Sequence, residues 1–129
     1  MEKIISICEH TQDGNDGFLV ETNNRKIFVG ISNGQSCCEM WGYFHTLDNL
    51  QEFDGATLTD INIVDTALNV KKLDEQIGYG LNEGACLFVN FETDKGTFQL
   101  TAYNEHNGYY GHQAVITSTD NSISHEEYL

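Results

Sequence analysis

The feature that most constrains the fold of this chain is an alternating apolar segment interrupted by one tight turn. Apolar residues occupy every second position from Leu87 to Phe91 and again from Phe98 to Ala102, on either side of Asp94-Lys95-Gly96. A period of two residues places these side chains on one face of a β-strand, and the intervening residues suit a turn. The segment therefore predicts an antiparallel β-hairpin with one buried face.

Shorter segments elsewhere also have the composition of strands. They run from Lys3 to Cys8, from Phe18 to Thr22, from Lys26 to Ser32 and from Gln113 to Ser118, with a further extended stretch between Thr57 and Val70. Between the second and third of these, Asn23-Asn24 predicts a tight hairpin turn, because asparagine tolerates positive φ. These segments predict a sheet built mainly from antiparallel neighbours.

One short helix is the expected exception to this pattern. Thr46 has the side chain of an N-cap, and Leu47 and Leu50 would then face inward. We therefore expect an α+β fold, mainly antiparallel β-sheet with one short helix at about 47–53. Since no proline or low-complexity segment marks a linker, we expect a single domain over 1–129, with 119–129 as a flexible tail unless it docks.

The apolar segments are too short for a membrane-spanning helix, which needs ~20 residues. The first residues also lack the basic region and long apolar stretch of a signal peptide. We therefore expect the protein to act in the cytoplasm, where cysteines stay reduced. Of the four cysteines, Cys8 and Cys86 are expected to be small core residues.

The charge of the chain restricts its partners. Six basic residues stand against twenty acidic ones, for a formal net charge of −14. Like charges repel at long range, so direct binding to nucleic-acid phosphates is disfavoured and a basic protein partner is favoured. An acidic mimic of nucleic acid needs a row of carboxylates. The candidates lie between the basic pairs Arg25-Lys26 and Lys71-Lys72 and are Glu39, Asp48, Glu52, Asp54, Asp60 and Asp65.

The segment Tyr103–His112 has the strongest signature of a binding site. Its ten residues include three tyrosines, two histidines and two asparagines, and none is aliphatic. Such side chains can stack on and hydrogen-bond a small planar ligand, and its two glycines permit close backbone approach. The candidate ligand- or partner-binding residues are Tyr103, Asn104, His106, Asn107, Tyr109, Tyr110 and His112, joined by Gln35 and Glu39 from an earlier segment.

That earlier segment contains the adjacent cysteines Cys37-Cys38. Adjacent side chains point to opposite faces of a strand, so the two sulfurs would struggle to reach one zinc ion, and we expect no metal site. A second alternative is a catalytic cysteine. Cys37 or Cys38 would be the nucleophile, with His45, His106 or His112 as base and Asn104, Asn107 or Glu39 as orienting group.

Paired carboxylates offer a third route to catalysis. Asp60 and Asp65 with Glu39 could resemble the acid pair of a glycoside hydrolase, but chance pairs are abundant in an acidic chain. The sequence contains no Walker motif, no GxSxG, no HExxH and no dinucleotide-binding GxGxxG. We therefore expect no cofactor and assign no catalytic residue.

With these motifs identified, the chain resembles an uncharacterised family of small acidic proteins of bacteriophages and prophages. The resemblance rests on Asn33–Tyr43, which contains GQSCCEMWGY, on Asp60–Ala67, and on Tyr103–His112, which reads YNEHNGYYGH. It implies a phage setting and no particular reaction. Small acidic phage proteins often inhibit bacterial immunity, so the resemblance also implies that role.

We therefore predict a non-enzymatic phage-type binding protein that counters bacterial immunity. The expected form is an acidic protein–protein inhibitor of a basic nucleic-acid-binding effector, such as a defence nuclease, in the manner of an anti-CRISPR nucleic-acid mimic. The alternatives are a sponge for a small nucleotide immune signal and a cysteine- or metal-dependent enzyme. If Cys37–Glu39 and Asn104–His112 meet in one cleft, a small-ligand or catalytic site is favoured. If they lie apart beside a ridge of carboxylates, the inhibitor is favoured.

Overall fold

The structure, a computed structural model of the chain, describes residues 1–34, 41–65, 67–68, 85–104 and 112–129. Within these ranges the chain forms nine β-strands and no helix. The strands are β1 (Glu2–Gln12), β2 (Asn15–Thr22), β3 (Lys26–Ser32), β4 (Trp41–His45), β5 (Thr57–Val64), β6 (Ala85–Thr93), β7 (Gly96–Asn104), β8 (Gln113–Ser118) and β9 (Ser124–Tyr128).

All nine strands belong to one sheet in the order β4-β7-β6-β5-β1-β2-β3-β8-β9, and every pair of neighbours is antiparallel. Strand β1 joins the two halves, because Glu2 and Lys3 pair with β5 while the rest of the strand pairs with β2. The halves face each other, with β2 and β3 against β4 and β7. The rings of Phe18 on β2 and Tyr43 on β4, for example, lie 5.1 Å apart.

The core lies between the two halves, and the alternation in the sequence correctly predicts much of it. The apolar residues at every second position of β6, β7 and β3 are all buried, namely Leu87, Val89, Phe91, Phe98, Leu100, Ala102, Ile27, Val29 and Ile31. The rings of Phe91 and Phe98 stack in parallel with centroids 4.9 Å apart. The predicted hairpin is therefore confirmed, with Phe91 opposite Phe98 in register.

The expected helix at 47–53 is wrong, and the described fold is all-β rather than α+β. Residues 49–55 form successive turns whose backbone hydrogen bonds join residues three apart, such as Glu52 N–H to Asn49 carbonyl at 3.0 Å. The Asn49 side chain also accepts the Gln51 N–H at 2.8 Å, which competes with helix formation. Leu47 is nevertheless buried and Leu50 packs against the core, so their inward orientation is as expected.

Two strands were not expected from the sequence. Strand β4 consists almost entirely of aromatic residues around Gly42, with no alternation to announce it. Strand β9 lies in the polar tail at 119–129, which sequence analysis treated as flexible unless docked. It pairs with β8 over five residues, from Thr117 opposite Ser124 to Gln113 opposite Tyr128. The tail is therefore docked, and Leu129 is buried.

The turns differ in part from expectation. Asp13 and Gly14 have φ of 51° and 77° and form the two-residue turn between β1 and β2, a geometry that matches the twist of a hairpin. The predicted turn at Asn23-Asn24 is confirmed, since Glu21 pairs with Lys26 and the Thr22 N–H donates to the Arg25 carbonyl at 2.8 Å. The positive φ expected of these asparagines is not observed. The β2–β3 turn is instead closed by the Thr22 hydroxyl oxygen, which accepts the N–H of both Asn24 and Arg25 at 3.1 Å.

Candidate functional site

One end of the sheet brings together residues that are far apart in the sequence. There β3, β7 and β9 finish while β4 and β8 begin. We call it the histidine end and define it by Ser32, Trp41, Asn104, His112 and Leu129. Trp41 is directly opposite Asn104 in the β4–β7 pair, and its ring lies 5.3 Å from that of His112. The two segments singled out by sequence therefore have their ends side by side.

His112 is held by both its backbone and its ring. Its N–H donates to the Leu129 carbonyl at 3.1 Å, and its carbonyl accepts the Leu129 N–H at 2.7 Å. Ring atom Nδ1 lies 2.8 Å from the Ser32 carbonyl oxygen. Because a carbonyl only accepts, Nδ1 carries a proton in this contact. The imidazole is thus buried and held in a fixed orientation.

Asn104, the last residue of β7, is hydrogen-bonded to Leu129, which follows β9. Its amide Nδ2 donates to the Leu129 carbonyl oxygen at 3.1 Å, and the residue is fully buried. A buried amide is stabilising only when its polar atoms have partners, because the cost of leaving water is otherwise not recovered. This hydrogen bond makes Asn104 part of the wall of the histidine end.

Tyr103 points away from Asn104, because neighbouring residues of a strand face opposite sides. Its ring covers Gly42 on β4, where a Cβ would come within 2.9 Å of the Tyr103 hydroxyl oxygen. The same ring lies 6.0 Å from that of Phe44. Of the predicted binding residues in the described part of the chain, Asn104 and His112 thus lie together, while Tyr103 lies on the outer face.

The remaining predicted binding residues, Gln35, Glu39, His106, Asn107, Tyr109 and Tyr110, lie outside the described residues, as do Cys37 and Cys38. The described residues that flank both segments are informative. Trp41 and Asn104 are cross-strand neighbours, and Ser32 and His112 are joined by a hydrogen bond. Both motif segments therefore leave and rejoin the described fold at the histidine end.

The predicted acidic residues occupy other positions. Asp48, Glu52 and Asp54 are exposed on the turns at 46–55, while Asp60 and Asp65 are exposed on and just after β5. Asp60 stands opposite Glu92 in the β5–β6 pair. The Asn62 amide donates to both carboxylates, at 2.8 Å to Glu92 and 3.4 Å to Asp60.

Asp54 and Asp60 lie near the turn between β6 and β7, whereas Asp65 follows Val64, which pairs with Phe88 toward the other end of β6. We call the region at this turn the hairpin end and define it by Asp54, Asp60, Glu92, Asp94 and Lys95. Asp94 accepts the Thr57 N–H at 2.8 Å, and the Lys95 ammonium donates to the Asp54 carbonyl at 3.2 Å. The hairpin end lies at the start of β7 and the histidine end at its finish. At ~3.3 Å per residue, the two are separated by roughly 26 Å.

A polar network ties the N-terminus to two turns on the same side of the fold. Arg25 Nε lies 2.8 Å from a Glu2 carboxylate oxygen, and its Nη1 donates to the Ser122 hydroxyl at 2.6 Å. Burial alone would raise the pKa of Glu2, but hydrogen bonds from Arg25 and Thr22 outweigh that effect and lower it. Hydroxyl and amide donors from Ser118 and Ser122 hold the pKa of Asp120 well below its usual range.

The two described thiols lie in different environments. Cys8 is exposed, so its expected core position is wrong, because the β1 register places it on the outer face opposite Leu19. Burial raises the pKa of the Cys86 thiol to about 12, which keeps it protonated at neutral pH. Within the described ranges, no three His, Cys, Asp or Glu side chains are grouped closely enough to hold a metal ion.

Sequence reasoning did not select several residues that the fold brings to these sites. Neither Trp41 nor Ser32 is among the candidate residues chosen from the sequence. Glu92 joins Asp60 through strand register, which no local pattern reveals. His45, a candidate base, lies at the other end of β4 from Trp41, and its Nδ1 accepts the Leu47 N–H at 3.1 Å.

Comparison with known proteins yields one match. A family model described as a domain of unknown function (DUF7448) matches residues 2–116, from β1 to within β8. No curated protein and no solved structure matches the chain. Among the residues for which the structure gives positions, none belongs to a helix long and apolar enough to cross a membrane.

Proposed function

We propose that this chain, which belongs to the DUF7448 family of domains of unknown function, is a non-enzymatic binding protein that sequesters a small nucleotide at the histidine end. The observation that carries the proposal is the contact between the ends of the two motif segments. Trp41 pairs with Asn104, and its ring lies 5.3 Å from that of His112. A ligand bound there would lie beside the described ends of both motif segments.

The chemistry of the histidine end suits recognition by stacking and hydrogen bonding. Trp41 is only partly buried and offers an indole surface, and the sequences of the motif segments that begin and end here are rich in tyrosines and amides. From Gly96 to Leu129 the chain has no Lys or Arg, so a phosphate there would be held mainly by N–H groups. A heterocyclic base gives a large share of its binding energy through stacking, which matches this composition.

The histidine end suits binding of a ligand better than catalysis. The His112 ring is 2% exposed and donates Nδ1–H to a backbone carbonyl. A ring held in this way stabilises the wall of a site, whereas a general base must reach the proton that it abstracts. The resemblance to small acidic phage proteins supports a setting in the bacterial cytosol, where the ligand would be a nucleotide signal of host immunity.

A thermal-shift titration tests the proposal. The full chain is heated with a panel of cyclic and ADP-ribose-type nucleotides, and one class is expected to raise the melting temperature. A ligand at 100 times its dissociation constant stabilises by about 2.7 kcal/mol. Tyr110→Ala or Asn107→Ala should remove the shift, while the matched control Tyr110→Phe keeps the ring and should retain most of it. A flat response across the panel contradicts the proposal.

A second candidate function is the acidic inhibitor of a basic nucleic-acid-binding protein, such as a defence nuclease. Its support is the hairpin end, where the Asp60 and Glu92 carboxylates face each other across β5 and β6 beside Asp54 and Asp94. A row of carboxylates is what a groove built for phosphates would bind.

This second function requires binding that weakens steeply with salt. The double variant Asp60→Asn/Glu92→Gln should weaken binding to a basic nuclease. The single variant Asp13→Asn changes charge in the same direction, but in the β1–β2 turn, and should have little effect. Binding that is equal at low and high salt would exclude the inhibitor.

A further inference from the structure

A groove lies on the outer face of the sheet, on the opposite side of β1, β2, β3 and β8 from the core. Its volume is about 380 Å³, and the residues that line it include His10, Gln12, Leu19, Lys26, Phe28 and Thr117. This volume falls within the range of small-molecule sites, ~300–1,000 Å³. Neither motif segment and none of the residues that define the histidine end is among its lining residues.

The floor of the groove is aromatic. Ile27, Val29 and Ile31 face the core, so Phe28 between them faces outward, opposite Leu19 on β2. Its ring lies across Gly30, where a Cβ would come within 2.4 Å of a ring carbon.

The His10 ring meets the edge of Phe28 with centroids 5.9 Å apart. The glycine therefore allows Phe28 to lie flat against the outer side of the sheet, where it is 2% exposed, with a histidine at its edge.

The charge of the groove is opposite to that of the chain. Its lining residues include Lys26 and His10 but no carboxylate, although the chain carries a net charge of −14. Lys26 is exposed, and its backbone N–H is fixed to the Thr119 hydroxyl at 2.9 Å. The acidic residue opposite Lys26 is Glu21, which does not line the groove. The groove is thus a place on the described surface where an anion avoids direct contact with carboxylates.

We propose that this groove binds a small flat aromatic anion. The ring of the ligand lies mainly against Leu19 and reaches only the small exposed part of Phe28, and its phosphate or carboxylate is held by the Lys26 ammonium. Gln12 and His10 add hydrogen bonds at the rim. Carboxylate and phosphate share the charge that Lys26 recognises, so both belong to the proposed ligand class. This site is separate from the histidine end and does not depend on the function proposed there.

The test is a titration of the full chain followed by amide chemical shifts. The probes are adenosine 5′-monophosphate and 4-hydroxybenzoate. Each is compared with its fragments, which are adenosine and inorganic phosphate for the first probe and phenol for the second. At least one complete anion should shift the amides of the groove and bind about tenfold more tightly than its parts. Whichever complete probe binds more tightly identifies phosphate or carboxylate as the preferred group.

Two matched lysine variants locate the charge contact. Lys26→Gln should weaken the tighter complete probe about tenfold or more. Lys3→Gln makes the same change in net charge where β1 pairs with β5, and should leave the affinity unchanged. Equal effects of both variants overturn the proposal, as does the absence of any shift in the groove. Shifts confined to Trp41 and His112 would also overturn it while supporting the site at the histidine end.

Discussion

The histidine end and the hairpin end are built from different interactions. At the histidine end, buried polar groups hold each other, as when Asn104 donates to the Leu129 carbonyl and His112 to the Ser32 carbonyl. At the hairpin end, Asp60 and Asp94 are exposed, and the hydrogen bonds they accept are open to water. A buried polar group that loses its partner is costly, whereas exposed charges contribute little.

This difference separates stability from function in the two regions. Substitutions among the buried groups of the histidine end are expected to reduce stability and binding together. Substitutions of exposed carboxylates at the hairpin end should change binding alone, because water replaces the lost hydrogen bonds. The following predictions, ordered by the size of the expected effect, test whether the two ends differ in this way.

The largest effect is expected from His112→Ala. The variant loses the ring contact with Trp41 and the hydrogen bond to Ser32, and it leaves a cavity beside the core. Together these changes should lower the free energy of unfolding by about 3 kcal/mol. Urea denaturation measures the change from the midpoint at constant slope. A loss below about 1 kcal/mol would mean that the histidine end is not the rigid wall described above.

A smaller effect is expected at the pair Glu2 and Arg25, whose side chains are 15% and 16% exposed. Since this pair is largely shielded from water, Glu2→Gln should cost about 1–2 kcal/mol. A double-mutant cycle with Arg25→Gln isolates the interaction between the two side chains. The coupling should exceed that of exposed ion pairs, whose usual range is about 0–1 kcal/mol. A coupling near zero would place the pair with the exposed charges of the hairpin end.

Sequence alone predicts the parts of this fold that depend on local patterns. The alternation at Leu87–Phe91 and Phe98–Ala102 was sufficient because one buried face imposes a period of two. The helix prediction at 47–53 failed because local turns compete with so short a helix, which can form few hydrogen bonds. Strand β4 escaped prediction because Trp41–His45 is aromatic except for Gly42 and shows no alternation.

The candidate site was harder to predict, because it depends on strand register. The composition of Tyr103–His112 identified Asn104 and His112. It could not reveal that Trp41 pairs with Asn104 across the strands or that the Trp41 ring lies against the His112 ring. It also grouped Tyr103 with Asn104, although neighbours on a strand face opposite sides. Likewise, Asp60 was chosen for its charge, while Glu92 became its neighbour only through the β5–β6 pairing.

The stability of the fold should fall in acid because of Glu2 and Asp120. Both have a folded-state pKa below the usual value, so they favour the folded state when ionised. Their contribution is fully present above about pH 5 and is lost as the pH falls through and below about 4. The melting temperature of Asp120→Asn should therefore decline less steeply between about pH 5 and pH 2. A decline parallel to that of the unmodified chain would contradict the assignment.

The smallest change in stability is expected from Lys95→Gln at the tip of the β6–β7 turn. The exposed ammonium donates to the Asp54 carbonyl at 3.2 Å, a contact that water can replace, so the free energy of unfolding should change by less than about 0.5 kcal/mol. The variant removes the cation that follows Asp94 in the β6–β7 turn. If the hairpin end engages a basic protein, the variant should bind that protein more tightly at low salt, and the gain should vanish at high salt. Unchanged binding with unchanged stability would show that the carboxylates of the hairpin end keep the protein soluble rather than recognise a partner.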